Sequence, residues 1–313
     1  MNNFKRFEGD RNLKAHVALL TAYIIFGLNT PIIKEIFMDG RIAPLAVMFY
    51  RIAGAAALFW LASLFTRRER VAAKDFLMLF AASMFGIIGN QAAFVEGLAR
   101  TSPIDASVIT TTAPIMTMLL AALFIREPIT WKKAGGVLLG MAGALALIMH
   151  ESSDRNAASL EGNLLCLASV LSFVVYLTAF KPLIRRYSAV TLMKWMFLFA
   201  LPVGFFMSSD AVTAVDYSAL PLSIHLHVAY VVILASFVSY LFIPVGQKYL
   251  RPTIVSMYNY IQPLMSSLLA VILGIDTFGP VKAFATLLIF VGVYFVIQSK
   301  SRAQMEADRN YKL

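Results

Sequence analysis

Charge is scarce in this chain. Only 14% of its 313 residues are Asp, Glu, Lys or Arg, while 59% are hydrophobic; an ordinary soluble domain carries roughly 25% charged residues. That balance excludes a soluble globular domain and points to an integral membrane protein. Cysteine is rarer still. Cys166 stands alone in an apolar segment, which excludes an internal disulfide and a cysteine-built metal site. The four histidines, His16, His150, His225 and His227, all fall at the edges of apolar runs, so no Ser-His-carboxylate set can be assembled at depth. HExxH, Walker and dinucleotide glycine motifs are missing as well. The expectation is a chain that is not an enzyme and has no cofactor and no metal.

What charge there is leans positive, with a formal net of +10. A basic balance can mean nucleic acid, but here Lys and Arg sit in short clusters between apolar runs, not on one face of a domain. They read as loop anchors at a lipid surface, and nucleic acid is not expected as a partner. The first apolar segment follows Lys5, Arg6, Arg11 and Lys14 and could pass for a secretory signal. It runs from about residue 15 to 37, longer than a signal core of roughly 7–15 residues, and it has no convincing cleavage site. It reads as the first membrane helix.

A bilayer core takes about 20 apolar residues per helix, and the chain supplies ten such runs. They lie at 15 to 37, 43 to 66, 75 to 98, 103 to 125, 131 to 149, 160 to 181, 189 to 208, 224 to 246, 253 to 274 and 280 to 298. Short connections make successive helices antiparallel neighbours. With the N-terminus in the cytoplasm, the inner connections and tails collect 20 of the 27 basic residues. The asymmetry predicts both termini inside.

Residues 103 to 149 overlay 252 to 298 without a gap at an offset of 149. Identities include Pro103/Pro252, Ser107/Ser256, Pro114/Pro263, Lys133/Lys282 and Gly143/Gly292. The prolines recur eleven residues apart in each copy. Each copy holds five spans, an odd number, so the second copy enters the membrane from the opposite side. The fold predicted is an all-α membrane protein with ten transmembrane helices in two inverted five-helix repeats, 15–149 and 160–298. Secondary transporters use this arrangement, with a solute site near the midplane where helices are interrupted.

Polar residues in the middle of these spans are candidates for such a site, because a polar group in hydrocarbon needs protein or water as a partner. Asn29 is central in span one, Asn90 and Gln91 in span three, Tyr176 in span six, Tyr240 in span eight, and Tyr258, Asn259 and Gln262 interrupt span nine. Amides and phenols can hold a zwitterion without a fixed buried charge; bonding between helices is the other use they could have. Arg51 lies about 12 Å into span two by helical rise, and Glu96 lies toward the same end of span three. The two could form a structural ion pair, a gate, or an anion-recognising group with Glu96 as a route for proton coupling. Lys194, in span seven, could meet a solute anion or snorkel to headgroups. Glu127 and Asp276 are repeat-equivalent and read as turn residues.

The stretches "FGLNTPIIK", "FYRIAGAAALF" and "QAAFVEGLARTSPIDASVITTTAPIMTMLLAALFIREPITWKKAGGVLLGMAGALAL", with a degenerate echo from Gln247 to Ile297, resemble the drug/metabolite transporter superfamily, in particular its EamA-like ten-helix members. The resemblance covers nearly the whole chain. It implies two EamA-like domains, a bacterial inner-membrane location, and alternating-access movement of a small organic metabolite, often export of an amino acid or related compound. The sequence departs from the usual pattern at "ILGIDTFGP", where the first half has an acidic-basic turn, and at Phe26, where a tryptophan is common. A non-transporting receptor or assembly factor and an intramembrane enzyme are the rival readings. The first would have a dry, filled centre, and the second needs a nucleophile and a base face to face.

Overall fold

The computed structural model describes residues 2–101, 103–150, 159–272, 279–300 and 304–305, so Asp276 lies outside the described residues. Among them there are helices and no strands, as lipid demands: a backbone in hydrocarbon must bond within its own segment. The first repeat begins with α1 (Asn2–Asp39) and α2 (Pro44–Leu64). It continues with α3 (Ala73–Ser83), a π-helical turn (Met84–Gly89) and α4 (Asn90–Arg100) as one continuous rod. Next come α5 (Pro103–Thr110) and α6 (Ala113–Ile125), then α7 (Trp131–His150). The second repeat runs α8 (Leu160–Ala179), the short α9 (Lys181–Arg186) and α10 (Ala189–Thr213). It ends with α11 (Leu222–Val232), a π-helical turn (Ile233–Val238), α12 (Ser239–Tyr249), α13 (Pro252–Met257), α14 (Ile261–Ile272) and α15 (Pro280–Gln298). Eight of these rods are long and apolar enough to cross a membrane. Large apolar side chains such as Leu64, Phe124 and Phe206 cover the outside, as a lipid-facing belt would.

The interruptions obey the sequence repeat. The π-helical turns at Met84–Gly89 and Ile233–Val238 are offset by the same 149 residues as the prolines. Span four breaks at Thr111 and Thr112, and span nine in a 3₁₀ turn at Tyr258–Tyr260, in each case just ahead of the mid-span proline. A proline removes one donor, and hydroxyls beside the breaks bond back to carbonyls of the preceding turn. Thr111 and Thr112 donate to the carbonyls of Val108 and Ile109, and Ser236 and Ser239 to those of Val231 and Leu234.

Equivalent helices of the two repeats run in opposite directions. Phe59 stacks on Phe197 at 5.5 Å, while Phe49, lower in number, meets Phe205 at 5.7 Å, higher in number. Thus α2 and α10, the second helix of each repeat, are antiparallel. At the α7–α15 contact, a methyl group built on Gly136 would lie 2.6 Å from the carbonyl oxygen of Gly292, and one on Gly143 would lie 2.6 Å from that of Ala285. Gly136 pairs with Gly292 as Ala285, the repeat mate of Gly136, pairs with Gly143, the mate of Gly292. Glycine is required there because the backbones touch. The remaining neighbours mirror one another too: α4 lies along α8 as α12 lies along α1, and α6 meets α8 as α14 meets α1.

Candidate functional site

The central helices leave a polar cavity between the repeats. Its walls come from α1, α2, α4 to α6, α8, α12, the 3₁₀ turn and α14, and its free volume is about 100 Å³. One enclosed water needs roughly 10–15 Å³ measured in this way, so the cavity has room for several waters or a small organic solute. A smaller pocket shares Thr30, Phe94, Thr110, Asn259 and Gln262 with it and continues past Ala106 and Ser107 at the start of α5. The opposite side is closed. There the Tyr258 hydroxyl and His16 Nδ1 form a hydrogen bond at 2.6 Å, the Tyr23 ring lies 6.0 Å from that of Tyr258, and the Tyr176 hydroxyl donates to Gln247 Oε1 at 3.1 Å.

The helix interruptions aim the polar side chains inward. π-helical turns are found mostly at functional positions because they re-aim the residues that follow. Asn90 is the first residue after the π-helical turn of span three; its Nδ2 donates to the Ser169 carbonyl at 3.2 Å and to the Ser169 hydroxyl at 3.0 Å. Gln91 Nε2 donates to the Tyr240 hydroxyl at 3.3 Å. These two residues are 149 apart, so each bonds its own repeat mate, which puts the pseudo-two-fold axis through that bond. Asn259, in the 3₁₀ turn, donates to the Ser256 carbonyl at 3.0 Å and accepts from Gln262 Nε2 at 2.9 Å. Among the described residues Asn29 has no hydrogen-bond partner for its Oδ1, nor has Gln91 for its Oε1, although both are buried.

Among the described residues, Arg51 is the one charged residue in these walls. It is 3% exposed, and its Nε donates to the Ser236 hydroxyl at 2.9 Å. That serine sits in the π-helical turn of span eight and passes its own proton to the Val231 carbonyl at 2.8 Å. Among the described residues no carboxylate lies within ion-pair distance of Arg51.

Seven of the eleven residues singled out from the sequence meet in this cavity: Asn29, Arg51, Asn90, Gln91, Tyr240, Asn259 and Gln262. Four do not. Tyr176 is held by Gln247 and Tyr258 by His16, both on the closed side and outside the cavity walls. Glu96 does not pair with Arg51. It pairs with Arg100, one turn along the same helix, because Arg100 presents its guanidinium at the i,i+4 position. Lys194 does not reach the cavity; its ammonium lies 5.1 Å from the centre of the Trp60 ring and 5.8 Å from that of Trp195, a cation–π arrangement.

Some contributors were passed over. Phe26 and Phe173 both line the cavity and are 147 residues apart. The same offset relates Lys34 to Lys181, and each caps the end of a neighbouring helix. Lys34 donates to the carbonyls of Leu98 at 3.3 Å and Thr101 at 3.5 Å. Lys181 donates to those of Gln247 and Leu250. The signal was present as a second offset between spans one and six, two residues short of the first and therefore invisible to an ungapped overlay.

A helical membrane bundle built from two inverted repeats around a polar cavity is the architecture of a membrane transporter. The sequence profile of the EamA-like transporter family matches residues 13–149 and again 160–298, and the chain belongs to that family. An uncharacterized transporter of Archaeoglobus fulgidus is 28% identical over 180 residues, 58% of this chain and 62% of that one. The uncharacterized transporter YyaM of Bacillus subtilis is 20% identical over 290 residues, 90% and 93% of the two chains. A probable terminal-alkyne amino-acid exporter of Streptantibioticus cattleyicolor is 28% identical over 178 residues, 56% and 58%. The matched stretch thus spans less than two thirds of the Archaeoglobus and Streptantibioticus relatives. A solved crystal structure superposes with a TM-score of 0.71 at 18% identity, covering 91% of this chain and 95% of that one; at that identity the likeness is one of fold.

Proposed function

We propose that the chain is a secondary transporter that carries a small organic metabolite, an amino acid or related compound, outward across the bacterial inner membrane by alternating access. Both termini face the cytoplasm in this reading, as the basic inner connections suggest. The observation that carries it is the cavity with polar groups in its walls between inverted repeats, continued by a second pocket toward the start of α5 and shut off by hydrogen-bonded side chains on the opposite side. The amino-acid part leans on the Streptantibioticus exporter and on the amides in the walls. A comparison of metabolites inside and outside cells with and without the protein tests the reading, followed by flux of each changed compound in proteoliposomes. Asn259→Ala and Gln262→Leu are expected to cut that flux about tenfold, the scale of a lost hydrogen bond to a charged group, with expression unchanged. Flux that survives both substitutions removes these residues from the site, and absence of any changed compound removes the function.

A further inference from the structure

The cavity is not neutral. Its walls hold amides, hydroxyls, three phenylalanine rings and one guanidinium, with no carboxylate among the described residues. A cation in a water-poor setting is costly unless an anion and hydrogen-bond acceptors answer it. Among the described residues Arg51 has one acceptor, the Ser236 hydroxyl, and that bond uses Nε. The two terminal nitrogens form the fork that binds a carboxylate in bidentate fashion, and the described residues offer them none. Snorkelling cannot relieve the charge, because the residue is 3% exposed and tied at Nε to span eight. The surrounding groups are complementary: Asn29 Oδ1 and Gln91 Oε1 are buried acceptors without donors, while Phe26, Phe94 and Phe173 supply apolar surface.

From this we infer that the cavity selects solutes bearing a carboxylate, which seats on the terminal nitrogens of Arg51, and rejects solutes whose only charge is positive. The two amide oxygens receive a donor elsewhere on the solute, an ammonium or hydroxyl, and the rings receive its apolar part. Charge, more than size, does the sorting. A cationic amine would meet a like charge in low dielectric, and a neutral solute would leave the guanidinium unanswered. The inference rests on the transporter reading for its purpose, but not for its test.

The test uses the full chain purified in detergent and three radiolabelled probes on one skeleton: phenylalanine, 3-phenylpropanoate and 2-phenylethylamine. Equilibrium dialysis is expected to show saturable binding of the two carboxylates and affinity for the amine lower by about tenfold or more, the range of a charge-assisted hydrogen bond. Arg51→Gln should weaken both carboxylates by a similar factor and shrink the difference from the amine. Arg51→Lys keeps the charge but not the fork, and should bind the carboxylates less tightly than the wild type and more tightly than Arg51→Gln, and thermal unfolding of both variants reports whether they fold. The inference is overturned if the amine binds as well as the acids, if Arg51→Gln in its folded form leaves carboxylate binding unchanged, or if neither carboxylate binds saturably. Carboxylate binding without flux of any compound would sink the transporter reading and leave this one standing; flux confined to neutral or cationic compounds would do the reverse.

Discussion

Lys34 and Lys181 hold the same place in the two repeats and cap the same place on their neighbours, yet the two caps differ. Leu98 and Thr101, whose carbonyls Lys34 meets, are the mates of Gln247 and Leu250, whose carbonyls Lys181 meets. In both cases an ammonium answers the unpaired carbonyls and negative dipole end of a helix that finishes at the membrane edge. Lys181 is 8% exposed, and its contact with the Leu250 carbonyl is 2.6 Å; Lys34 is half-buried with contacts of 3.3 and 3.5 Å. The tighter cap belongs to the closed side, beside the Tyr176–Gln247 bond, and the looser one lies at the end to which the cavity continues. The repeats are alike in scaffold and unlike in how firmly their ends are held. On the proposed mechanism the two caps exchange these roles as access alternates.

Removing each cap is the strongest way to break this comparison. Lys181→Met leaves two buried carbonyls without donors. At about 1–3 kcal/mol for each such group, less the relief of no longer burying a charge, the net loss is expected near 2–3 kcal/mol. Lys34→Met lets water replace the ammonium and should cost less than about 1 kcal/mol. Unfolding of the two variants in a denaturing detergent titration measures both. Equal losses would mean that the ends are held alike and that the difference between the caps carries no energy.

The α7–α15 contact sharpens the comparison from the other direction, since there the repeats are most alike. A methyl built on Gly292 would lie 2.6 Å from both the Gly136 carbonyl oxygen and the Gly140 nitrogen, backbone atoms that cannot turn aside. Gly292→Val is therefore expected to cost about 1–3 kcal/mol by overpacking. Its mate gives the control: Gly143→Val meets the Ala285 carbonyl oxygen at the same 2.6 Å and should cost about as much. Gly135 faces open space, so Gly135→Ala should be neutral or stabilising by up to about 1 kcal/mol. Thermal unfolding midpoints in detergent rank the three.

The sequence made most of the scaffold legible because its constraints are one-dimensional. Apolar length sets the span, and the recurrence of Pro103, Pro114 and Gly143 at Pro252, Pro263 and Gly292 sets the repeat. The cavity was legible where a polar residue interrupts an apolar run, as at Asn29, Asn90 and Asn259. It was not legible where the partner of a polar residue had to be named. Tyr176 looks as central as Tyr240 in the sequence, but Gln247 lies across from one and Gln91 from the other. Asn29 is the repeat mate of Tyr176, and the position matching Gln247 is Leu98, which offers no side-chain hydrogen bond; among the described residues Asn29 Oδ1 has no donor. Arg51 and Glu96 look alike in depth from the sequence, but one bonds Ser236 and the other Arg100; depth is what a sequence reports, and azimuth is not.

The finest test concerns the two residues that directly follow the π-helical turns. Asn90 donates twice to Ser169, whose hydroxyl returns a bond to the Asn90 carbonyl at 2.8 Å. Its mate Ser239 reaches the Ala22 carbonyl, the position equivalent to Ser169, at 3.5 Å, a distance at which a hydrogen bond is weak. Asn90→Ala should therefore destabilise by about 1–2 kcal/mol, two ordinary hydrogen bonds, and Ser239→Ala by about 0.5 kcal/mol or less. Because α4 crosses α8 as α12 crosses α1, the difference reports chiefly the side-chain bonds across the crossings, Ser239 also giving up its bond to the Leu234 carbonyl within its own rod. A double substitution should give the sum, since the two crossings share no partner. A larger combined loss would mean that the crossings are coupled through the Gln91–Tyr240 bond on the axis, and that the repeats move as one body.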